Sequence, residues 1–305
     1  MKSPLHTPIT KAVIPAAGRG TRLLPATKTQ PKEMLPVGRK PTIQHVLEEL
    51  FSVGLQDVLI VTGWHKRPIE DHLDFSLGGD RLEAEQDDRA NLFHNGQLNH
   101  HLFYVRQAQQ AGLADAVFYG RQFVGTEPFV VALGDTIIAS RHDPPLLQRL
   151  IETHLATGAA ATIAVEPVAR EDIRKYGIVA PRGETGPAFE IQDIVEKPRP
   201  TEAPSHFAVA SRYVFQPVIF EMISRVQPGI GKELQLTDAI RLLLQEGWPV
   251  WSVCLMPGET RYDIGNFESY FRAFFDTALD DPELGKKMEQ YLRSRLERRR
   301  GEKKP

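Results

Sequence analysis

Short apolar runs alternate with helical patterns along most of this 305-residue chain, and this alternation constrains the fold more than any single motif. The runs have the length and composition of buried strands. They lie at residues 11–18, 57–63, 101–107, 128–135, 160–168, 191–198, 206–215 and 249–256. Between the first two runs, apolar residues recur at helical spacing from Ile43 to Phe51, and the same pattern returns from Leu236 to Leu244. The sequence therefore predicts an α/β fold: a Rossmann-like, three-layer αβα arrangement around a mainly parallel mixed central sheet.

No linker or internal repeat divides the chain, so we expect a single domain over residues 1–280. Residues 76–100 are polar, charged and glycine-bearing, which predicts a helical or irregular excursion over the surface. Residues 281–305 contain LRSRLERRR and predict a charged, solvated C-terminal helix or tail.

Composition excludes several classes of function. A formal charge of −2 lacks the basic excess of a nucleic-acid-binding protein. No apolar stretch reaches the roughly 18 residues of a membrane span, and the N-terminus has no secretory pattern, so we expect a cytoplasmic protein without membrane contact. Cys254 is the single cysteine, which excludes a disulfide framework within the chain.

A glycine turn follows the first predicted strand, in the sequence AVIPAAGRGTR. The dinucleotide-binding fingerprint needs a third glycine three residues after Gly20, but Leu23 stands there. The Walker A loop needs Gly-Lys-Ser/Thr beginning at the same position, which Leu23 also excludes. A dehydrogenase stays conceivable from the fold alone, but the missing glycine argues against it.

With these two motifs excluded, the residues of the turn and the segment after it are suited to binding a triphosphate. Gly18 and Gly20 let backbone N–H groups close around phosphate oxygens. Arg22 offers a planar fork of donors, and Lys32, ten residues later, offers a movable point charge. Two cations beside one triphosphate suit a reaction in which negative charge builds up on departing pyrophosphate.

The run GRGTRLLPATKTQPKEMLPV, residues 18–37, resembles the signature of the bacterial sugar-phosphate nucleotidyltransferases, and above all of their UTP–glucose-1-phosphate uridylyltransferase branch. The resemblance continues in order through VRQ, VEPV, YGIV, VEKP, LQLTDAI and YDIGN, so it spans roughly residues 10 to 275. It implies the nucleotide-diphospho-sugar transferase type of fold, with residues 1–280 as the catalytic domain and a homodimer or homotetramer as the assembly.

The resemblance also implies roles for individual residues. Gln107, of VRQ, would read the base, beside Gly112. The nucleotide site would comprise Ala16, Ala17, Gly18, Gly20, Thr21, Arg22, Lys32, Glu33, Gln107 and Gly112. The sugar phosphate would lie on Gly177, Glu196 and Lys197.

Two aspartates are candidate ligands for the cofactor that the resemblance implies, Mg²⁺. Asp135 closes a predicted strand, at the sheet edge where ligands bind in open α/β folds, and the family's first magnesium aspartate falls on this residue. Asp263, in YDIGN, matches the position of a second. Arg22, Lys32, Asp135 and Lys197 are the candidate catalytic residues.

The implied reaction joins UTP and glucose 1-phosphate into UDP-glucose and pyrophosphate, by in-line attack of the sugar phosphate on the α-phosphorus. Three features depart from the branch: Arg39 replaces an aspartate, Ala111 and Asp115 replace a lysine and a histidine, and Gly134-Asp135-Thr136 resembles thymidylyltransferases. One alternative is therefore a dTTP-using enzyme on the same scaffold. Another is a non-catalytic paralogue that binds sugar nucleotides as a regulator, against which the retained candidate catalytic residues argue.

Overall fold

A computed structural model of the protein describes residues 9–74 and 100–301. The excursion expected over residues 76–100 lies, apart from His100, outside these described residues, as does the end of the chain after residue 301. The strands are β1 (Lys11–Pro15), β2 (Pro36–Val37), β3 (Lys40–Pro41), β4 (Asp57–Thr62), β5 (His101–Arg106), β6 (Phe129–Ala132), β7 (Thr136–Ala139), β8 (Ala161–Pro167), β9 (Gly177–Pro181), β10 (Ala188–Glu196), β11 (Phe207–Phe215), β12 (Val250–Cys254) and β13 (Thr260–Asp263).

The described α-helices alternate with these strands. They are α1 (Thr42–Ser52), α2 (Arg67–Leu73), α3 (Leu113–Phe118), α4 (Arg121–Val124), α5 (Leu146–Thr157), α6 (Ile219–Arg225), α7 (Leu236–Gln245), α8 (Phe267–Leu279) and α9 (Gly285–Gly301). Short 3₁₀ turns cover Thr21–Leu23, Lys32–Met34, Arg170–Lys175 and Ile230–Lys232. Within this part of the chain, no helix has both the length and the apolar character needed to cross a membrane.

Nine strands form the main sheet, in the order β5-β4-β1-β6-β11-β8-β12-β10-β9. The strand pairings give β10 and β11 the direction opposite to that of the other seven. The sheet is therefore mixed but mainly parallel, as the alternation of strands and helices predicts.

Helices cover both faces of this sheet, because successive side chains of a strand point to opposite faces. In β1, Val13 packs into one apolar cluster, whereas Ala12 and Ile14 pack into the other. The first cluster includes residues of α3, α6 and α7, and the second includes residues of α1, α2 and α5. This arrangement is the expected three-layer αβα architecture.

Each predicted apolar run contains or overlaps a strand, but β2, β3, β7, β9 and β13 were not predicted as strands. β7 pairs with β13 in a separate two-stranded sheet, and β2 pairs with β3 in another. These segments contain two to four residues, too few for a period-2 pattern to stand out. The β7–β13 pair is important because Asp135 immediately precedes β7 and Asp263 ends β13.

A buried ion pair fastens helix α1 to the sheet beside that pair of strands. The side chain of Arg212, in β11, is fully buried, and its Nη2 donates to Glu49 Oε2 of α1 at 2.6 Å. The same guanidinium donates to the backbone oxygens of Thr136 at 2.9 Å and Ser211 at 3.0 Å. Arg212 thus joins α1, its neighbour Ser211 in β11 and the first residue of β7.

We predict that Glu49→Ala lowers the free energy of unfolding by about 3 kcal/mol, because it leaves the buried charge of Arg212 without its partner. The matched control is Glu48→Ala in the same helix. Its carboxylate pairs with Lys40 at 2.7 Å, and both side chains are about two-fifths exposed (41% and 39%), so the loss should stay below about 1 kcal/mol. Urea unfolding of both variants checks the difference, and equal losses would contradict the structural role of the buried pair.

Candidate functional site

A cavity of about 790 Å³ opens where β1, β5 and β6 end, and the start of β9 and the end of β10 line its opposite side. The loops that follow β1, β5 and β6 supply the glycine turn, Gln107 and Asp135. Ligands of open α/β sheets bind at this edge. The cavity is therefore the candidate functional site.

The cavity brings together residues that lie far apart in sequence. The predicted site residues that line it are Ala17, Gly18, Gly20, Thr21, Arg22, Lys32, Glu33, Gln107, Gly112, Asp135, Gly177, Glu196, Lys197 and Asp263. Ala16 is buried beneath the loop and does not line the cavity, and its N–H donates to Val61 O at 2.9 Å. A contact between the side chain of Ala16 and a ligand is not supported by this geometry.

Arg39, which departs from the branch pattern, also lies away from the cavity. Its guanidinium pairs with Asp281 at 2.7 Å and with Glu283 at 3.0 Å, so it ties the β2–β3 turn to the segment before α9. The structure therefore gives Arg39 no direct part in substrate choice.

A cluster of two cations and two carboxylates lines the cavity. Lys32 donates to Asp135, and the β7–β13 ladder places Asp263 opposite Thr136, beside Asp135. Arg22 and Asp263 meet beside Gly265. A Cβ added to that glycine would lie 2.7 Å from Asp263 Oδ1 and 2.8 Å from an Nη of Arg22, so both side chains reach the same point. The four side chains thus form one electrostatic unit.

The two aspartates of this cluster differ in their affinity for protons. Burial alone would raise the pKa of Asp135, but the ammonium group of Lys32 outweighs burial and lowers it. Burial and the negative charge of Asp135 together raise the pKa of Asp263 above its ordinary value. An additional cation at this place would relieve the excess negative charge on Asp263.

The donor set of the two aspartates fits Mg²⁺. This ion commonly takes one or two protein carboxylates and completes its shell with water and substrate phosphates. No group of three or more His, Cys, Asp or Glu side chains is placed to hold a metal in the described ranges. Asp135 and Asp263 therefore match an ion that substrate would help to bind, rather than one enclosed by protein.

A second buried pair supports the segment that carries Lys32. Glu33 is 1% exposed, and Lys66 Nζ donates to its Oε2 at 2.6 Å. Burial raises the pKa of Glu33 and lowers that of Lys66. Sequence reasoning missed Lys66, because a lone lysine after β4 carries no motif.

The glycine turn is shaped for close approach to a ligand. Gly20 has φ +66°, in the left-handed region that glycine adopts without strain. Its carbonyl accepts a hydrogen bond from Thr27 Oγ1 at 2.7 Å. Gly18 lies against Lys32, since a Cβ there would be 3.3 Å from Nζ. The backbone of the turn and the ammonium group of Lys32 therefore face the same part of the cavity.

Arg19 and Gln110 also line the cavity, and sequence reasoning did not single them out. Gln110 donates to Ala17 O and accepts from Arg19 Nε at 2.6 Å. It thus connects the loop after β5 to the glycine turn.

Gln107 is 4% exposed and directly follows β5, one residue beyond the strand. Its Nε2 donates to Asp115 Oδ2 at 2.6 Å and to Gly112 O at 3.3 Å. Gly112 has φ +121°, and a Cβ there would lie 2.5 Å from Leu234 O, so only glycine fits. These contacts therefore fix the side chain of Gln107 relative to Gly112.

The opposite side of the cavity is built by the start of β9 and the end of β10. Thr237 Oγ1 donates to Glu196 Oε2 at 3.0 Å, and Lys197 Nζ pairs with Glu196 Oε1. Lys197 has φ +45°, and its N–H donates to Tyr176 O at 3.0 Å. A non-glycine residue in this conformation carries strain, and here the surrounding strands hold it beside the cavity.

Arg261 is a further cavity cation that sequence reasoning missed. Its guanidinium pairs with Glu166 of the VEPV motif and lies 4.3 Å from the ring centroid of Tyr176. The pairing links two quoted motifs, VEPV and YGIV, that the sequence could only show as separate segments. No histidine or cysteine lines the cavity in the part of the chain that the structure describes.

Comparisons with known proteins identify relatives of this chain. A sequence model of the nucleotidyl transferase family matches residues 11–279. A UTP–glucose-1-phosphate uridylyltransferase of Staphylococcus epidermidis is 41% identical over 289 residues, which cover 93% of this chain and 98% of the relative.

Solved structures include relatives as well. A UDP-glucose pyrophosphorylase complexed with UDP-glucose is 38% identical, with a TM-score of 0.79, over 87% of this chain and 97% of that chain. A UTP-bound enzyme of the same kind from Acinetobacter baumannii is 31% identical, with a TM-score of 0.81. The match covers 93% of this chain and 98% of that chain.

We predict that Asp263→Asn raises thermal stability at pH 7 to 8 in metal-free buffer. Because the folded-state pKa of Asp263 is raised, ionisation of this group disfavours the folded state above that pKa. The penalty vanishes when the carboxyl is protonated in both states, below its ordinary value of 3.8. The gain in melting temperature should therefore shrink as the pH falls toward 3.

Asp71→Asn is the control, since that carboxylate pairs with Arg67 at 3.3 Å on an exposed surface. Its melting temperature should follow that of the wild type at each pH. A loss of stability in Asp263→Asn at pH 8 would contradict the assigned penalty.

Proposed function

The chain belongs to the nucleotidyl transferase family, and we propose that it works as a UTP–glucose-1-phosphate uridylyltransferase. The enzyme makes UDP-glucose and pyrophosphate from UTP and glucose 1-phosphate. The observation that carries this proposal is the position of the cation–carboxylate cluster. The same cavity is also lined by a glycine turn suited to a triphosphate and by Glu196 and Lys197, which suit a sugar phosphate.

The reaction needs alignment more than it needs a protein base. A phosphate oxygen of glucose 1-phosphate is already an anion and attacks the α-phosphorus of UTP directly. One P–O bond forms at that phosphorus, while the bond to the bridging oxygen breaks and pyrophosphate leaves with the electron pair. Placing both reactants in one site can lower the barrier by several kcal/mol.

The positive side chains would neutralise charge at three places. Arg22 and Lys32, beside the glycine turn, would hold the triphosphate and the departing pyrophosphate. Lys197, across the cavity, would hold the attacking phosphate, and Glu196 would accept hydrogen bonds from sugar hydroxyls beside Gly177. Lys32 donates to Asp135 and its Nζ lies against Gly18 of the glycine turn, so its ammonium group lies beside the proposed triphosphate site.

The family generally uses a divalent metal ion, and we propose that it is Mg²⁺, held by Asp135 and Asp263. When bound, the ion supplies positive charge to phosphate oxygens. Burial and the negative charge of Asp135 raise the pKa of Asp263, and a bound cation would stabilise its ionised form, which is consistent with this assignment. Displacement of Lys32 from Asp135 would free its ammonium group for the triphosphate.

The names of the relatives favour UTP over dTTP as the nucleotide. The cavity of the described residues retains the four candidate catalytic side chains, which speaks against a non-catalytic regulator. The failed dinucleotide fingerprint, with Leu23 in place of glycine, speaks against a dehydrogenase.

The assembly and the location of the protein are proposals too. Exposed aromatic residues on α8 would suit a subunit contact in a homodimer or homotetramer: Phe267, Phe271, Phe274 and Phe275. We further propose a cytoplasmic enzyme whose single catalytic domain covers residues 1–280, followed by the charged helix and tail.

The proposal is tested by incubating the purified protein with Mg²⁺ and a matrix of nucleoside triphosphates and sugar 1-phosphates while measuring pyrophosphate. We expect the highest kcat/KM for UTP with glucose 1-phosphate. A higher value with dTTP would favour the thymidylyltransferase alternative. No pyrophosphate from any pair would favour the regulatory one.

We predict that Lys197→Ala raises the KM for glucose 1-phosphate at least about tenfold, because one charge-assisted contact to the phosphate is lost. The KM for UTP should change little. Lys40→Ala is the matched control, since Lys40 pairs with Glu48 outside the cavity. Equal changes in both KM values would contradict the assignment of Lys197 to the sugar phosphate.

We predict that Asp135→Asn lowers kcat in the presence of Mg²⁺ by at least about a hundredfold, as loss of a group that organises transition-state charge commonly does. The steady-state rate of pyrophosphate release at saturating substrates measures the effect. The exposed Asp71→Asn variant should retain the wild-type rate. A near-normal kcat in Asp135→Asn would show that this carboxylate does not hold the metal.

A further inference from the structure

Asp115 lies behind Gln107 and does not itself line the cavity. It belongs to the first turn of α3, and its Oδ2 accepts a hydrogen bond from Gln107 Nε2 at 2.6 Å. The second acceptor for the same nitrogen is Gly112 O, at 3.3 Å. Gln107 itself lines the cavity and is almost fully buried.

The chemistry of these partners determines which way the amide of Gln107 points. An ionised carboxylate and a backbone carbonyl can only accept hydrogen bonds, so they must face the NH₂ group and not the oxygen. Turning the amide over would place Oε1 against two other oxygens. With both hydrogens of Nε2 engaged, Oε1 is the polar atom that Gln107 can offer to a ligand.

We infer that Asp115 selects the nucleotide base by fixing Gln107 as a hydrogen-bond acceptor toward the cavity. This inference rests on the proposed function and on the assignment of Gln107 to the base. Uracil carries an N3–H donor that such an acceptor can bind, whereas cytosine has an unprotonated N3 acceptor at the same place. Asp115 is thus a positioning residue that favours UTP over CTP.

The same chemistry sets the limit of this selection. Thymine has the same N3–H as uracil, so Asp115 favours dTTP over CTP equally and does not separate UTP from dTTP. The departure of Asp115 from the branch pattern therefore concerns how the acceptor is held. It does not by itself indicate a change of nucleotide.

An acidic residue in the first turn of a helix also interacts favourably with the helix N-terminus, whatever its side chain contacts. Glu221 provides the control for this effect, since it lies in the first turn of α6, is exposed and does not line the cavity. Glu221→Gln removes a first-turn charge without touching a cavity residue.

The test compares Asp115→Asn and Asp115→Ala with Glu221→Gln and the wild type. Asparagine can turn its nitrogen toward Gln107, and alanine removes the acceptor, so both variants free the amide to turn over. For UTP, dTTP and CTP, kcat/KM is measured from pyrophosphate release at saturating glucose 1-phosphate. Melting temperatures identify folded variants.

We expect the UTP-to-CTP ratio of kcat/KM to fall at least about tenfold in both Asp115 variants, because a charge-assisted bond no longer fixes the acceptor. The values for UTP and dTTP should fall together, mainly through KM, while the KM for glucose 1-phosphate stays the same. Glu221→Gln should keep the wild-type ratio.

A UTP-to-CTP ratio within twofold of the wild type in either folded Asp115 variant overturns the inference and leaves the proposed function intact. Parallel losses for all three nucleotides also overturn it, because a merely structural role predicts them. If the wild type itself releases no pyrophosphate from UTP, the proposed function fails and the inference falls with it.

Discussion

The ion pair between Lys32 and Asp135 is the contact around which the rest of the site is arranged. It joins residues 103 positions apart, one from the loop after β1 and one from the end of β6. Charges placed this deep need partners, since burial penalises each of them. Asp263 and Arg22 extend the pair into a cluster, and burial together with the charge of Asp135 raises the pKa of Asp263 despite the nearby cations. A divalent metal ion at this place would supply the missing positive charge and let anionic phosphates approach the two aspartates.

Two further buried pairs keep this cluster in place. Lys66 holds Glu33, the neighbour of Lys32, and Arg212 holds both Glu49 and the carbonyl of Thr136, the neighbour of Asp135. Glu33 lines the cavity, but neither pair is assigned a contact with a reacting group in the proposed mechanism. Each fixes the backbone of a segment that carries a residue of the cluster, which matters because alignment supplies much of the catalysis in a direct phosphoryl transfer.

Much of the fold could be predicted from the sequence, because the apolar runs and helical spacings are local patterns. The cavity residues from Arg22 to Asp263 could be named through ordered motifs. Lys66 and Arg212 could not, because nothing local distinguishes a lysine or arginine that meets a glutamate many positions away: 163 positions for Arg212 and Glu49. Arg39 shows the opposite error: a departure from a pattern suggested a part in substrate choice, but its partners are Asp281 and Glu283.

The central claim is that the two substrates lie side by side on one charged cluster and react directly, without a covalent enzyme intermediate. The stereochemical course at the α-phosphorus tests it most directly, using UTP made chiral there by sulfur substitution and glucose 1-phosphate as the acceptor. A single in-line displacement predicts inversion of configuration in the UDP-glucose analogue. Retention would indicate two successive displacements through the protein and would contradict the account.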